Sequence, residues 1–368
     1  MNPCSLRNHE VYVSRFQTDQ SSSINCLTIN GQGDSPAGAI IRNEAEKLKT
    51  VILKQIVFAD KSWNGRLLHD VAAEETPSAC IYHALTGTSG IFSAQAIALS
   101  GNHDIKTVSA GWKKIGLVHE DRFARYCHLS NVFAQNISLS RPEQTRAVFE
   151  IFQEALRCHG FNFTDTVRTW FYNDRITEWY GEFNKVRTDF FNKAGVFEHV
   201  VPASTGIGAG NPHGAALTGS LLAVQPKNGL VKIQAVPSPM QESALEYKSS
   251  FSRAVETEYP SCRCLYISGT ASISKEGKTL YINDIDSQVK LTMSVAENLL
   301  QSRAMNWKNV FRGIVYFKRP DYLEHFKKYC RIHDISISNL AIAFTDMCRD
   351  DLLFEIELDA ISSKASLP

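Results

Sequence analysis

The strongest constraint on this chain is an internal duplication. Gln144 and Gln288, Arg168 and Arg312, and Tyr172 and Tyr316 are identical pairs, each separated by 144 positions. A constant offset carried through helix, turn and strand marks a duplicated unit. In one copy, residues 144–158 read as an amphipathic helix stopped at Gly160, and 167–172 as a strand. Residues 177–191 then read as a second helix, 202–208 as a glycine-rich turn and 217–224 as a strand. In the next copy, residues 288–300 and 322–330 read as helices, and 311–317 and 352–360 as strands. A fainter copy precedes both, with strands at 26–31, 52–58 and 91–99 and a short helix at 42–50. The expected fold is α+β: two clear repeats and a degenerate third, built from mixed sheets covered by helices on one face. The units are expected at 1–118, 119–235 and 236–368, with linkers near 101–121 and 236–246.

Composition excludes several classes of function. Thirty-nine basic and 38 acidic residues leave a net charge of +1, so no broad field attracts nucleic acid or anionic membrane. No apolar run approaches the roughly 20 residues of a membrane span. Residues 1–25 lack the basic start and apolar stretch of a secretory signal, which makes the cytoplasm the default location. Nine cysteines are scattered without a CxxC pair, and eleven histidines contain no HExxH or HxxxH arrangement. Neither a metal nor another cofactor is expected. Cys262 and Cys264 alternate within a strand and read as small buried side chains.

Several motifs, in order, carry a resemblance. They are RTW (168–170), the pattern Tyr180–Phe183–Asn184–Arg187, PASTGIG (202–208), FSRA (251–254), SGTAS (268–272) and CRDDLLFEIE (348–357). Each unit resembles a RidA/YjgF domain, and the set is similar to the chorismatase family over residues 160–368. That resemblance implies cleavage of the enolpyruvyl ether of chorismate, giving pyruvate and a hydroxybenzoate or a dihydroxycyclohexadiene acid. It places the family's catalytic glutamate on Glu355. Cys348, seven residues earlier, matches a cysteine of the subset that makes 3-hydroxybenzoate. The stretch 273–278 (ISKEGK) lacks the glycine–histidine pair found there in typical chorismatases.

The chemistry fits these residue types. Cleaving a vinyl ether requires a proton delivered to carbon, which suits a carboxylic acid kept protonated in an apolar site. Strand alternation puts Glu355 and Glu357 on one side, where mutual repulsion raises at least one pKa. The plain alternative is two exposed acids on a half-buried strand. A dianionic substrate calls for guanidinium forks, and the candidates are Arg253, Arg349, Arg168 and Arg187. Tyr180 and Tyr247 could supply hydroxyls, although tyrosines on amphipathic helices also serve as core edges. The chorismatase resemblance implies that the small segment with Gly269 and Ala271 lets the substrate ring approach, and Ser204 and Thr205 could form an anion nest or a plain turn. Cys348 has no histidine in its motif to activate it, so it reads as an inert thiol, a nucleophile or a steric gate. The rival readings are a RidA-like imine or enamine deaminase and a non-catalytic binding protein for a small acidic metabolite. The expected partner is a small anionic molecule. The chain would be a pseudo-trimeric monomer if all three repeats exist, and a homotrimer otherwise.

Overall fold

The computed structural model describes residues 10–18, 22–32, 37–61, 78–82, 91–111, 113–247 and 249–364. They form three mixed sheets. The first contains β1 (Tyr12–Gln17), β2 (Ser23–Gln32), β3 (Thr50–Ala59), β4 (Ser78–Tyr82) and β5 (Ile91–Ser100), in the order β1-β2-β5-β3-β4. The second contains β6 (Lys106–Ala110), β7 (Lys113–Glu120), β8 (Ala124–Val132), β9 (Thr166–Asn173), β10 (Ala203–Gly208) and β11 (Leu217–Pro226), ordered β10-β9-β11-β8-β7-β6. The third holds β12 (Lys232–Val236), β13 (Ala254–Glu258), β14 (Cys262–Ala271), β15 (Val310–Phe317), β16 (Leu340–Phe344) and β17 (Phe354–Ser363), ordered β12-β13-β14-β17-β15-β16. One plan underlies all three. The closing strand inserts between an earlier hairpin and an antiparallel neighbour, which itself carries a parallel edge strand.

Helices α1 (Ala37–Lys47), α2 (Arg141–Cys158), α3 (Tyr180–Lys193), α4 (Ile285–Gln301) and α5 (Leu323–Ile332) cover one face of their sheets. Their starts are written locally. The Ser140 N–H donates to the Glu143 carboxylate (2.9 Å) ahead of α2, and Asp284 accepts from the Ser287 N–H (3.1 Å) at α4. In α4 the apolar positions Val289, Met293, Ala296 and Leu300 recur at helical spacing and pack over Phe354, Ile356 and Leu358. The repeated glutamines do the same work twice. Gln144 accepts from the Ala216 N–H (2.8 Å) and Gln288 from the Leu353 N–H (2.9 Å), so each ties a helix to the approach of its closing strand.

Two local expectations are corrected. Residues 202–208 are not a turn: Ala203–Gly208 is a strand parallel to β9. Its glycines serve close packing, since a side chain on Gly208 would meet Asp346 and Ile176 at 2.7 Å. The segment 101–121, expected as a linker, contains the β6–β7 hairpin, and β12 precedes the second expected linker. Among the described residues, no helix is long and apolar enough to cross a membrane.

The sheet faces turned away from the helices meet in a shared interior. Lys54, Ile56 and Phe58 on β3 correspond by position to Arg168, Trp170 and Tyr172 on β9, and to Arg312, Ile314 and Tyr316 on β15. Each strand bulges just before its basic residue. The Tyr172 and Tyr316 hydroxyls lie 3.4 Å apart, and the Phe58 ring packs edge-on against both (5.8 and 6.2 Å). Opposite these positions the closing strands place Ser93, Thr218 and Glu355, then Gln95, Ser220 and Glu357. A carboxylate occupies these two sites in the third sheet alone.

Candidate active site

The acidic pair sits where the second and third sheets meet. On β17 the residues Phe354, Ile356 and Leu358 face the helices, so Glu355 and Glu357 project to the other side. Several bonds hold the two units together there. The Ser204 N–H donates to Ser268 Oγ (2.8 Å), the Gly269 N–H donates to Thr205 Oγ1 (3.1 Å), and the Thr188 and Ser250 hydroxyls share a bond of 2.7 Å.

The two glutamates have opposite environments. Glu357 is fully buried and saturated. It accepts from Arg168 Nη2 (3.1 Å), Arg312 Nη2 (2.6 Å) and Trp170 Nε1 (2.9 Å). Burial alone would raise its pKa, but Arg168 and Arg312 outweigh burial and hold it at about 2. Glu355 is 5% exposed, and its carboxyl makes no hydrogen bond among the described residues. Burial and then the Glu357 charge push its carboxyl up to about 8, against the pull of Arg168 and Arg253. Glu355 is therefore a protonated, uncommitted acid at neutral pH.

Glu355 opens into a small cavity of about 60 Å³ that brings together most of the residues singled out in the sequence. Tyr180 and Arg187 enter from α3, Arg253 from the lead into β13, Gly269 and Ala271 from β14, and Cys348 and Arg349 from the lead into β17. Arg187 is braced by Asn184 Oδ1 (2.6 Å) and Ser204 Oγ (3.4 Å). Arg253 donates from Nε to the Glu242 carbonyl (3.0 Å), and Arg349 from Nη1 to the Gly277 carbonyl (2.6 Å). The Phe251 ring lies 5.7 Å from each of the Arg187 and Arg253 guanidinium carbons, which makes it a spacer between two cations. Gly269 has a sharper task than ring approach. A Cβ there would overlap Glu355 Oε1, and the irregularity between Ile267 and Thr270 is what presents this glycine to the acid. The Tyr180 hydroxyl bonds the Cys348 thiol, but burial and the neighbouring Glu355 still push that thiol up to about 12. A thiol held neutral in this way lines the wall of the cavity without the thiolate character that a nucleophile draws on.

Two candidates fall outside this cavity or outside description. Arg168 is fully buried and does not line it. Its guanidinium is consumed by Glu357 and Thr205 Oγ1 (2.7 Å), so it holds the acid's neighbour and is out of reach of a ligand. The backbone of Tyr247 ends a short 3-10 turn, and its side chain lies outside the described residues. The sequence reading missed the parts that Arg312 and Trp170 play at Glu357. The 144-residue offset between Arg168 and Arg312 was the available signal, because equivalent strands around one centre bring their basic residues together.

Comparison with known proteins bears on this geometry. No family model matches the chain. A chorismatase of Streptomyces hygroscopicus is 28% identical over 213 residues, covering 52% of this chain and 60% of that protein. A 3-hydroxybenzoate synthase of the same organism is 26% identical over 242 residues, covering 58% of this chain and 68% of the relative. The chain thus matches about three fifths of the length of the first of these relatives. A crystal structure of a chorismatase superposes on 93% of this chain and all of that one, with a TM-score of 0.68 at 18% identity. In fold over nearly its whole length, and in sequence over about half of it, this chain is similar to chorismatases.

Proposed function

We propose that the chain cleaves the enolpyruvyl ether of chorismate, releasing pyruvate and a hydroxybenzoate or dihydroxycyclohexadiene acid. The observation that carries this reading is Glu355: a buried carboxyl, held protonated near neutral pH, without a protein hydrogen bond among the described residues, facing a cavity with three guanidinium groups. A binding protein has no need of such an acid. The names of the two curated relatives support the choice of substrate.

In this mechanism Arg253, Arg187 and Arg349 receive the substrate carboxylates. Glu355 gives its proton to the terminal methylene carbon of the enolpyruvyl group, and positive charge develops at the ether carbon. Water adds there, and the hemiketal collapses to pyruvate and the ring diol. On addition the water gives one proton back to the Glu355 carboxylate, and on collapse its other proton passes to the departing ring oxygen, so the acid is regenerated. Loss of water from the diol gives the hydroxybenzoate, the outcome that Cys348 beside Glu355 favours through its resemblance to the 3-hydroxybenzoate subset. The Glu355 anion lives between the Glu357 charge and the guanidinium groups, which keeps its proton affinity high enough to recover the proton. One chain supplies three units around a common centre, and this supports a monomer as the working assembly.

The test is incubation of purified protein with chorismate, following pyruvate by a coupled assay and the ring product by chromatography. Equimolar pyruvate and a hydroxybenzoate or diene diol are expected. Inert chorismate, with ammonia released from an imino acid instead, would replace this reading with the deaminase.

A further inference from the structure

A second, larger cavity of about 160 Å³ lies among the sheets and shares no lining residue with the Glu355 pocket. Its walls carry aromatic rings, including Phe123, Tyr126, Trp170, Tyr259 and Tyr266. The exposed residues Arg122 and Ser261 also line it and mark its opening. Lys54 projects into it with its ammonium 3.0 Å from the centre of the Trp170 ring. Among the described residues the Lys54 ammonium makes no hydrogen bond and no ion pair, while its counterparts Arg168 and Arg312 are both paired. The charges around it do not balance. Among the lining residues three cations, Lys54, Arg122 and Arg312, face two carboxylates: Asp359 is bound to Arg312, and Asp121 accepts from the Phe123 and Ala124 N–H groups and the Tyr126 hydroxyl. His119 and His128 extend the basic wall, with their Nε2 atoms 3.3 Å apart and the His119 ring stacked on Tyr126 at 4.7 Å. Burial keeps both imidazoles neutral and pulls the Lys54 amine down as well, and a carboxylate placed beside that amine would favour its charged form.

We propose that this central cavity is a second ligand site, taking one small planar aromatic monocarboxylate whose carboxylate pairs with Lys54 and whose ring lies against the aromatic walls. The volume suits a single substituted ring, since cavities of about 150 Å³ accept benzene. A single carboxylate gives the Lys54 amine the partner it lacks among the described residues, and the apolar walls reject a strongly hydrated inorganic anion. This site does not depend on the chemistry at Glu355.

Crystals of the whole protein soaked with 3-bromobenzoate test it, with bromine located by anomalous scattering and benzoate affinity measured by calorimetry. A bromine peak in the central cavity is expected, with the carboxylate within hydrogen-bond distance of Lys54 Nζ. Lys54→Met, which keeps the aliphatic stem, should weaken benzoate binding at least tenfold. Ile97→Phe, which fills the cavity and leaves Lys54 in place, should abolish binding and keeps the test open if Lys54→Met does not fold. Bromine confined to the Glu355 pocket, no bound bromobenzoate, or unchanged affinity in both variants would overturn the proposal.

Discussion

Replacing Glu357 by Gln is the sharpest probe of how the site tunes its acid. Glu357 is charged throughout the neutral range and lies two residues from Glu355 on one strand. That spacing is roughly 7 Å, and at an effective dielectric of about 20 the two charges repel by about 2.4 kcal/mol, or about 1.7 pKa units. Losing the repulsion, with Arg168 and Arg312 left uncompensated nearby, should bring the Glu355 carboxyl from about 8 toward about 6. The assay is the pH profile of kcat for pyruvate release. Its basic limb should move down by between one and two pH units, so activity at pH 7.5 falls about tenfold while activity at pH 5.5 barely changes. Breaking a buried ion pair costs about 3–5 kcal/mol, so the variant is assayed in the cold with its fold checked by circular dichroism. Trp170→Phe removes only a neutral donor to Glu357 and should leave the limb within about half a unit. A folded Glu357→Gln enzyme whose basic limb stays near 8 would refute the coupling.

Three further outcomes follow from the same geometry. Glu355 is protonated in the fold up to about pH 8 but ionises near 4.5 in the unfolded chain. Its contribution to stability is therefore full below 4.5 and lost as pH rises through 8, so Glu355→Gln should melt higher than wild type at pH 8.5 and match it at pH 4. Gly269→Ala should lower kcat at least a hundredfold and destabilise by about 1–3 kcal/mol, because its methyl must displace the Glu355 carboxyl; near wild-type turnover would show that the acid sits elsewhere during reaction. Cys348→Ala should keep kcat within tenfold, since a thiol held near 12 supplies no nucleophile, and a thousandfold loss would restore it to the chemistry.

Much of this was legible along the chain, and the exceptions share one physical origin. The repeat pairs foretold equivalent strands, and Tyr172 meets Tyr316 at the centre. Alternation foretold that Glu355 and Glu357 share a side. It did not say which acid would be neutralised, because that depends on Arg168 and Arg312 arriving from two other strands. Arg168 read as a substrate clamp since guanidinium near an acid fits either role, and only burial separates them. PASTGIG read as a turn by composition. Its small residues instead permit a parallel edge strand to pass close to Asp346 and Tyr180, a contact between segments far apart in sequence. Leu340–Phe344 went unread for the same reason: five apolar residues become a strand only when β15 lies beside them. Gly269 was recognised as a place where bulk matters, but the group it makes room for is the protein's own carboxyl.

The most direct test of the central claim is the rate of pyruvate release from chorismate at pH 6.5 by wild type and by Glu355→Gln, an isosteric change that removes only the transferable proton. A carbon-protonating acid contributes about 10²–10⁴-fold, so the variant should be at least a hundredfold slower at saturating substrate, with KM little changed. Release within tenfold of wild type would mean that another group protonates the enol carbon, and that Glu355 is not the acid.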